Sequence, residues 1–215
     1  MDAYEWIDRA RPVEVATAEV GFVISETFYH GPANNFSPEV WETLRDPLYQ
    51  PGVERYRNYV LTHALNHSAD ELIKYYQDVL RMIDRYGKRV ADQRSYFWLR
   101  PVLFALDDFE ISFPWYDTWE EAKPLMDALE STRNGAIFSD IEQSWEVKIF
   151  ATDTELFIRQ GNSDSKKEHA CVSCDRFNLC QQIPALRARC EHLIAVLRTV
   201  LGGDYWTSHK VFPVQ

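Results

Sequence analysis

Glycine is scarce in this chain, at 8 of 215 residues. No glycine-rich phosphate loop of either common type is present, which argues against P-loop and dinucleotide-binding chemistry. No G-x-S-x-G occurs, so a hydrolase nucleophile elbow is not expected. Long apolar runs are also missing. The longest uncharged one, Pro101 to Leu106, is far too short to cross a bilayer. The first residues, Met1 to Trp6, are acidic and carry no apolar core, so a signal peptide is not expected. Cysteine is limited to four residues, which without a secretion signal read as free thiols in a reducing compartment. The expectation is a cytoplasmic protein without a membrane segment. Hydrophobic residues at 46% and charged residues at 26% exclude disorder, collagen and coiled coil. The length suits one globular domain, or at most two small ones, with a real core.

Charge is present in excess and has a location. The formal net charge is −10. Between Ala105 and Glu155 stand thirteen acids and only three bases, Lys123, Arg133 and Lys148. The other 164 residues carry 20 of each sign, so this stretch of 51 residues holds the whole excess. Such a field repels phosphate backbones and attracts basic surfaces. Direct nucleic-acid binding is not expected, unless through the locally basic segment Arg81 to Arg100. An acidic stretch can simply be a solvated face. Here Trp115, Tyr116 and Trp119 sit among the acids, and Trp and Tyr are enriched at binding hot spots. The candidate partner-binding residues are therefore Asp107, Asp108, Glu110, Trp115, Asp117, Trp119, Glu120, Glu121, Asp140, Glu142 and Trp145.

The pattern predicts interspersed helices and strands without regular βαβ units, an α+β fold. Val-rich Val13 to Ser25 reads as one or two strands. Ser37-Pro38-Glu39 opens a short helix through Arg45, between loops at His30 to Phe36 and Asp46 to Gly52. Ser68 to Glu71 is a capping box, followed by Leu72, Tyr76, Val79, Leu80, Ile83 and Tyr86 on one helical face, with Gly87 as C-cap. Ser95 to Leu99 and Phe109 to Trp115 read as strands. A second capping box, Thr118 to Glu121, opens a helix to about Ser131, with Pro124 late for a first turn. Trp145 to Ile149 and Glu155 to Arg159 alternate with period two and form a hairpin around Ala151 to Thr154. A third strand, His169 to Asp175, precedes a helix with Ile183, Leu186, Cys190, Leu193, Ile194, Leu197 and Leu201 on one stripe, ended by Gly202-Gly203. The prediction is a single domain over residues 1–215, an antiparallel sheet with a C-terminal hairpin packed by several helices. The region 106–206 is the best patterned.

Candidate chemistry is thin. Cys171 and Cys174 form a C-x-x-C, but Cys180 and Cys190 are ten apart and Cys190 lies on an apolar stripe, so structural thiols fit better than zinc. His63 and His67 share the i, i+4 spacing of zinc proteases, but Ala64 stands where Glu is required. Asp140 followed by Glu146-Val-Lys148 matches the metal-dependent nuclease pattern of the restriction-endonuclease fold, where two carboxylates hold Mg²⁺ and Lys stabilises phosphate charge. The surrounding net charge opposes an approaching nucleic acid, and a cross-strand charge pair explains Glu146 and Lys148 as well. No cofactor and no metal site are expected.

Three segments together resemble a known family. They are Ser139-Asp140-Ile141-Glu142-Gln143-Ser144-Trp145-Glu146 leading into the hairpin, Arg176 before Leu179-Cys180-Gln181-Gln182, and the ending Leu201-Gly202-Gly203-Asp204-Tyr205-Trp206. The likeness covers roughly Phe109 to Trp206. It is similar to the α+β immunity proteins of bacterial polymorphic toxin systems, whose genes sit beside toxins with a nuclease domain of the restriction-endonuclease fold. Ser144 occupies a turn position where glycine would be expected. The resemblance implies a non-catalytic inhibitor that binds a cognate toxin in the cytoplasm. An acidic, aromatic surface can mimic phosphates in a basic cleft and dock by steered association. The alternative is an adaptor module using the same acidic face on another basic partner.

Overall fold

A computed structural model describes residues 4–32, 38–105, 109–113 and 115–210. In chain order the elements are β1 (Arg11–Pro12), β2 (Thr17–Val23), β3 (Thr27–Tyr29), α1 (Pro38–Thr43), β4 (Arg45–Pro47), β5 (Tyr59–Leu61), α2 (Ala69–Arg85), β6 (Leu99–Ala105), β7 (Phe109–Ser112), α3 (Trp119–Glu130), β8 (Gly135–Glu142), β9 (Trp145–Ala151), β10 (Glu155–Asn162), β11 (Glu168–Asp175), α4 (Arg176–Cys180) and α5 (Gln182–Leu201). The fold is α+β, and the strand pairs whose register is described are antiparallel except for the short parallel contact of β1 with β11. The residues cluster into two compact units. The first comprises Met1–Val20, Pro101–Tyr116 and Glu120–Ala188; the second comprises Gly21–Arg100, Asp117–Trp119 and Arg189–Gln215. The chain passes from one to the other within β2, within β6, between Tyr116 and Asp117, after Trp119 in the first turn of α3, and within α5.

The first unit is built on a five-stranded sheet in the order β1-β11-β10-β9-β8. Strands β8 to β11 form a meander, and the two residues of β1 add in parallel at Val172 and Ser173. Period-two alternation sends one side of the sheet inward. Ile149, Ile158 and Val172 lie in register across three strands and are each about 1% exposed or less. Ala122, Leu125, Met126 and Leu129 give α3 its buried stripe at helical spacing, while Pro124 faces solvent. The proline lies inside the helix and not in its first turn, so it removes one ladder bond without ending the element.

Strand β8 was absent from the sequence-based reading. It lies at the sheet edge with one side in solvent, and a bulge between Ala136 and Phe138 breaks its alternation, so period two is not legible there. Its hairpin with β9 turns through only Gln143 and Ser144, at φ 46° and 72°. Both are left-handed, the geometry of a type I′ turn, which explains why glycine would suit position 144. The tip is tied down from the neighbouring loop: Ser163 N–H donates to the Ser144 carbonyl at 2.8 Å, and the Ser144 hydroxyl bonds Asp164.

Two motif residues prove to be fold devices. Arg176 is 8% exposed, and its guanidinium donates to the carbonyls of Ser131, Arg133 and Thr152 and to Asn134 Oδ1, at 2.5 to 2.9 Å. It thereby staples the α3–β8 loop to the β9–β10 turn. Gln182 bridges Ala16 O and Ala18 N with its side-chain amide, at 2.9 and 3.1 Å.

In the second unit β2 pairs β5, from Gly21↔Leu61 to Val23↔Tyr59. A Cβ at Gly21 would stand 2.7 Å from the Tyr59 Cβ, so this close approach requires glycine. Helix α2 buries Leu72, Tyr75, Tyr76, Val79, Met82 and Ile83, and Gly87 ends it at φ 58°. The aromatic core joins Tyr76, Phe97, Tyr205 and Trp206 at ring-centroid separations of 4.6 to 5.9 Å. The Gly202-Gly203-Asp204 ending positions the last two rings: Gly202 takes φ 71°, and Asp204 accepts the backbone N–H groups of Trp206 and Thr207.

Three local elements differ from the sequence expectation. Val90–Phe97 forms 3-10 turns and not a strand from Ser95, because Val90, Tyr96 and Phe97 are all buried and coiling directs them inward together. Helix α1 stops at Thr43, because Arg45 enters a ladder opposite Tyr29; β4 therefore occupies the start of the expected loop. Ser68 does begin α2, but its side chain makes no capping bond. Glu71 instead accepts from Tyr49 OH at 2.7 Å and Gly52 N at 2.5 Å, and pairs with Lys74 at 2.6 Å.

Candidate functional site

The two units divide the charge completely. The first holds 20 acidic and 10 basic residues, and the second 13 of each. The whole net charge of −10 belongs to the unit carrying the meander.

Within that unit the predicted residues are connected through named contacts. Asp140 on β8 is the junction. Its Oδ2 accepts from Trp115 Nε1 at 2.9 Å and from the Tyr116 hydroxyl, and its Oδ1 accepts the Ile141 N–H at 2.9 Å. Tyr116 is 8% exposed, and burial followed by the Asp140 hydrogen bond pushes its phenol well above the ordinary range. Glu121 adds to the negative field on this ring. Phe113 stacks on Tyr116 at 5.4 Å and meets Phe138 edge-on, so both of these rings are anchored against β8.

Glu142 and Trp145 close the β8–β9 hairpin opposite one another. Glu142 is exposed, and Trp145 is 37% exposed and stacks on His169 of β11 at 4.9 Å. His169, Glu110 and Phe109, together with Arg11 and Cys171, line a cavity of about 210 Å³. Glu120 lies exposed on the first turn of α3. Glu110, Trp115, Glu120, Glu121, Asp140, Glu142 and Trp145 thus all belong to one unit.

The remaining candidates separate from these. Asp107 and Asp108 lie outside the described residues. Asp117 and Trp119 belong to the second unit and are corrected here as structural. Asp117 is ion-paired with Arg100 at 3.0 Å, both side chains being less than 20% exposed. Trp119 is 2% exposed, its indole N–H donating to Glu191 at 3.2 Å. Position in an acidic stretch suggested a surface tryptophan, but the first turn of α3 directs this ring into a core. Asp140 is also less available than an exposed carboxylate, since both of its oxygens are occupied. His169 was missed as the partner of Trp145; no local spacing signals a contact across three strands.

The nuclease constellation is not assembled. Asp140 pairs in register with Val147, on the side of the sheet opposite Glu146 and Lys148. Glu146 bonds Lys148 at 2.6 Å and Arg159 at 3.4 Å. Cys171 and Cys174 also point to opposite sides. The Cys171 thiol donates to the Trp6 carbonyl, while burial pushes the Cys174 thiol up to about 12. His63 lies in a 3-10 turn and His67 beyond it, so they share no helical face. Among the described residues no group of three or more His, Cys, Asp or Glu side chains is placed to hold a metal ion, and no helix is long and apolar enough to cross a membrane.

Comparison with known proteins finds no matching family model, no matching curated protein and no matching solved structure.

Proposed function

We propose that this chain is an immunity protein that binds and neutralises a cognate bacterial toxin, a nuclease with a basic cleft, through the acidic first unit. The observation that carries the reading is the complete partition of charge. A unit whose acids outnumber its bases two to one attracts a cleft built for phosphates and speeds encounter. Trp145, stacked on His169 beside exposed Glu142, supplies an aromatic anchor of the type that dominates interface energetics. Glu120 and Glu121 extend the charged surface at the start of α3. Inhibition is steric and electrostatic, and no step of it requires catalysis by this chain.

The test is survival. The C-terminal domain of a candidate toxin, taken from the neighbouring genes, is induced in a heterologous host with and without the chain. Rescue, with co-purification as a stable complex whose affinity falls as salt rises, is the expected result. No rescue against a demonstrably active toxin overturns the reading and leaves an adaptor for a different basic partner.

A further inference from the structure

The two edges of the five-stranded sheet are treated differently. Beyond β11 the chain's own N-terminal segment covers the edge: Arg11 and Pro12 pair with Val172 and Ser173, and Val13 N–H donates to the Ser173 carbonyl at 2.8 Å. Beyond β8, among the described residues, no strand follows and no backbone hydrogen bond arrives from elsewhere. Edge strands are ordinarily protected against pairing by charged side chains, proline, bulges or very short length. β8 has eight residues and neither lysine nor proline, and its bulge at Ala136 to Phe138 stops short of the Ser139–Ile141 stretch.

The free groups can be identified from register. In the two-residue turn, Glu142 and Trp145 form the hydrogen-bonded closing pair. Bonded and non-bonded pairs then alternate, so Asp140↔Val147 is bonded, while Ile141↔Glu146 and Ser139↔Lys148 are not. The backbone groups of Ser139 and Ile141 therefore face away from β9. The hydrogen bond from Ile141 N–H to Asp140 Oδ1 agrees, since a donor engaged with β9 would not turn there. Ile141 is 52% exposed, an apolar side chain unshielded beside the free edge.

We infer that the Ser139–Ile141 edge of β8 is a docking site for an extended, lysine- or arginine-bearing strand of the partner, and that Asp140 guards it. With Asp140 Oδ1 on the Ile141 N–H, a neutral or acidic strand finds that donor occupied. A cationic side chain draws the carboxylate toward itself and frees the donor for the incoming carbonyl. The same arrangement disfavours pairing between two copies, which would bring two units of net charge −10 together. The left-handed tip at Gln143 and Ser144 fixes the backbone of the edge in its binding geometry beforehand. The occupant's charge rests on the functional reading above; the free edge does not.

The probe is a short alternating lysine–valine peptide added to the full chain, followed by amide resonances. Shifts centred on Ser139 and Ile141, with slowed exchange at Ile141, are expected. A peptide of the same charge, N-methylated at alternate residues, should bind about tenfold or more weakly, having lost backbone donors. Equal binding of both peptides, shifts elsewhere on the acidic unit, or no binding overturns the inference. Ser139→Pro is the matching variant, because its N–H is outside the β8–β9 ladder and proline is tolerated at such an edge. It should keep its thermal transition and lose peptide binding. If it is unfolded, the methylated peptide decides alone. Survival in the toxin assay with both wild type and folded Ser139→Pro overturns the edge while leaving immunity intact. Peptide pairing at β8 without wild-type rescue does the reverse.

Discussion

The two units solve the placement of charge in opposite ways. In the second, ion pairs are mostly local: Arg81 with Asp78, Arg89 with Asp92, Arg100 with Asp117, Arg198 with Asp204. In the first, cations are outnumbered, and two of them are shared between carboxylates, as Lys74 is between Asp70 and Glu71 in the second. Arg159 lies between Glu146 and Glu168, and Arg187 between Asp127 and Glu130. A neutral unit can satisfy its charges internally. A unit with twice as many acids as bases keeps unneutralised carboxylates at its surface, at a cost in self-repulsion. That cost is consistent with a surface retained for a basic partner.

The cores differ as well, which sets the largest predicted effect. Trp206 is fully buried against Tyr76, Phe97 and Tyr205, so Trp206→Ala should destabilise the second unit by about 4 kcal/mol. Arg176 is the polar counterpart in the first. Arg176→Met strands three backbone carbonyls and should cost about 3 kcal/mol, with Arg176→Lys restoring little because a single ammonium cannot reach the same fork of acceptors. Urea titrations monitored separately by tryptophan fluorescence and amide signals of β8 to β10 would check both. Near-equal stability of either variant and wild type would contradict these roles. Smaller again, Tyr116→Phe removes one hydrogen bond to Asp140 and should cost about 1 kcal/mol while leaving the Trp115 bond in place.

The smallest effect is acid-dependent and belongs to the second unit. The Lys74 ammonium, then the Gly52 N–H and Tyr49 hydroxyl, lower the Glu71 carboxyl to about 2. A depressed carboxylate stabilises the fold above its unfolded value of 4.5, and the contribution disappears as pH falls toward 2. The protection of the Gly52 amide, its exchange rate taken relative to the intrinsic rate at each pH, should therefore fall over that window, and Glu71→Gln should remove the dependence. An unchanged Gly52 amide across it would contradict the contact.

Much of this architecture was legible because it is periodic. The β9–β10 hairpin, β11, α2 and α5 follow from alternation or helical spacing of Val147, Ile149, Leu156 and Ile158, or of Leu72, Tyr76, Val79 and Ile83. What escaped depends on tertiary context. β8 is an edge interrupted by a bulge, so its apolar residues have no regular period. Val90–Phe97 coils because three nonadjacent side chains find one core. The Ser68 box predicts the start of α2, but a better partner for Glu71 comes from residues 49–52. For the site, charge density singles out the unit that carries the net charge of −10, since counting needs no fold. It misassigned Trp119 and Asp117, because charge counting along the chain cannot tell which side of α3's first turn faces a core.

The most direct measurement compares charge reversals in the two units within the toxin survival assay. Glu120→Lys with Glu121→Lys alters the first unit, and Glu42→Lys with Glu54→Lys makes the same net change at exposed sites of the second. The account predicts that the first pair weakens rescue and flattens the salt dependence of binding, while the second pair does neither. Loss of rescue by both pairs alike, or by neither, would contradict an interface specific to the acidic unit.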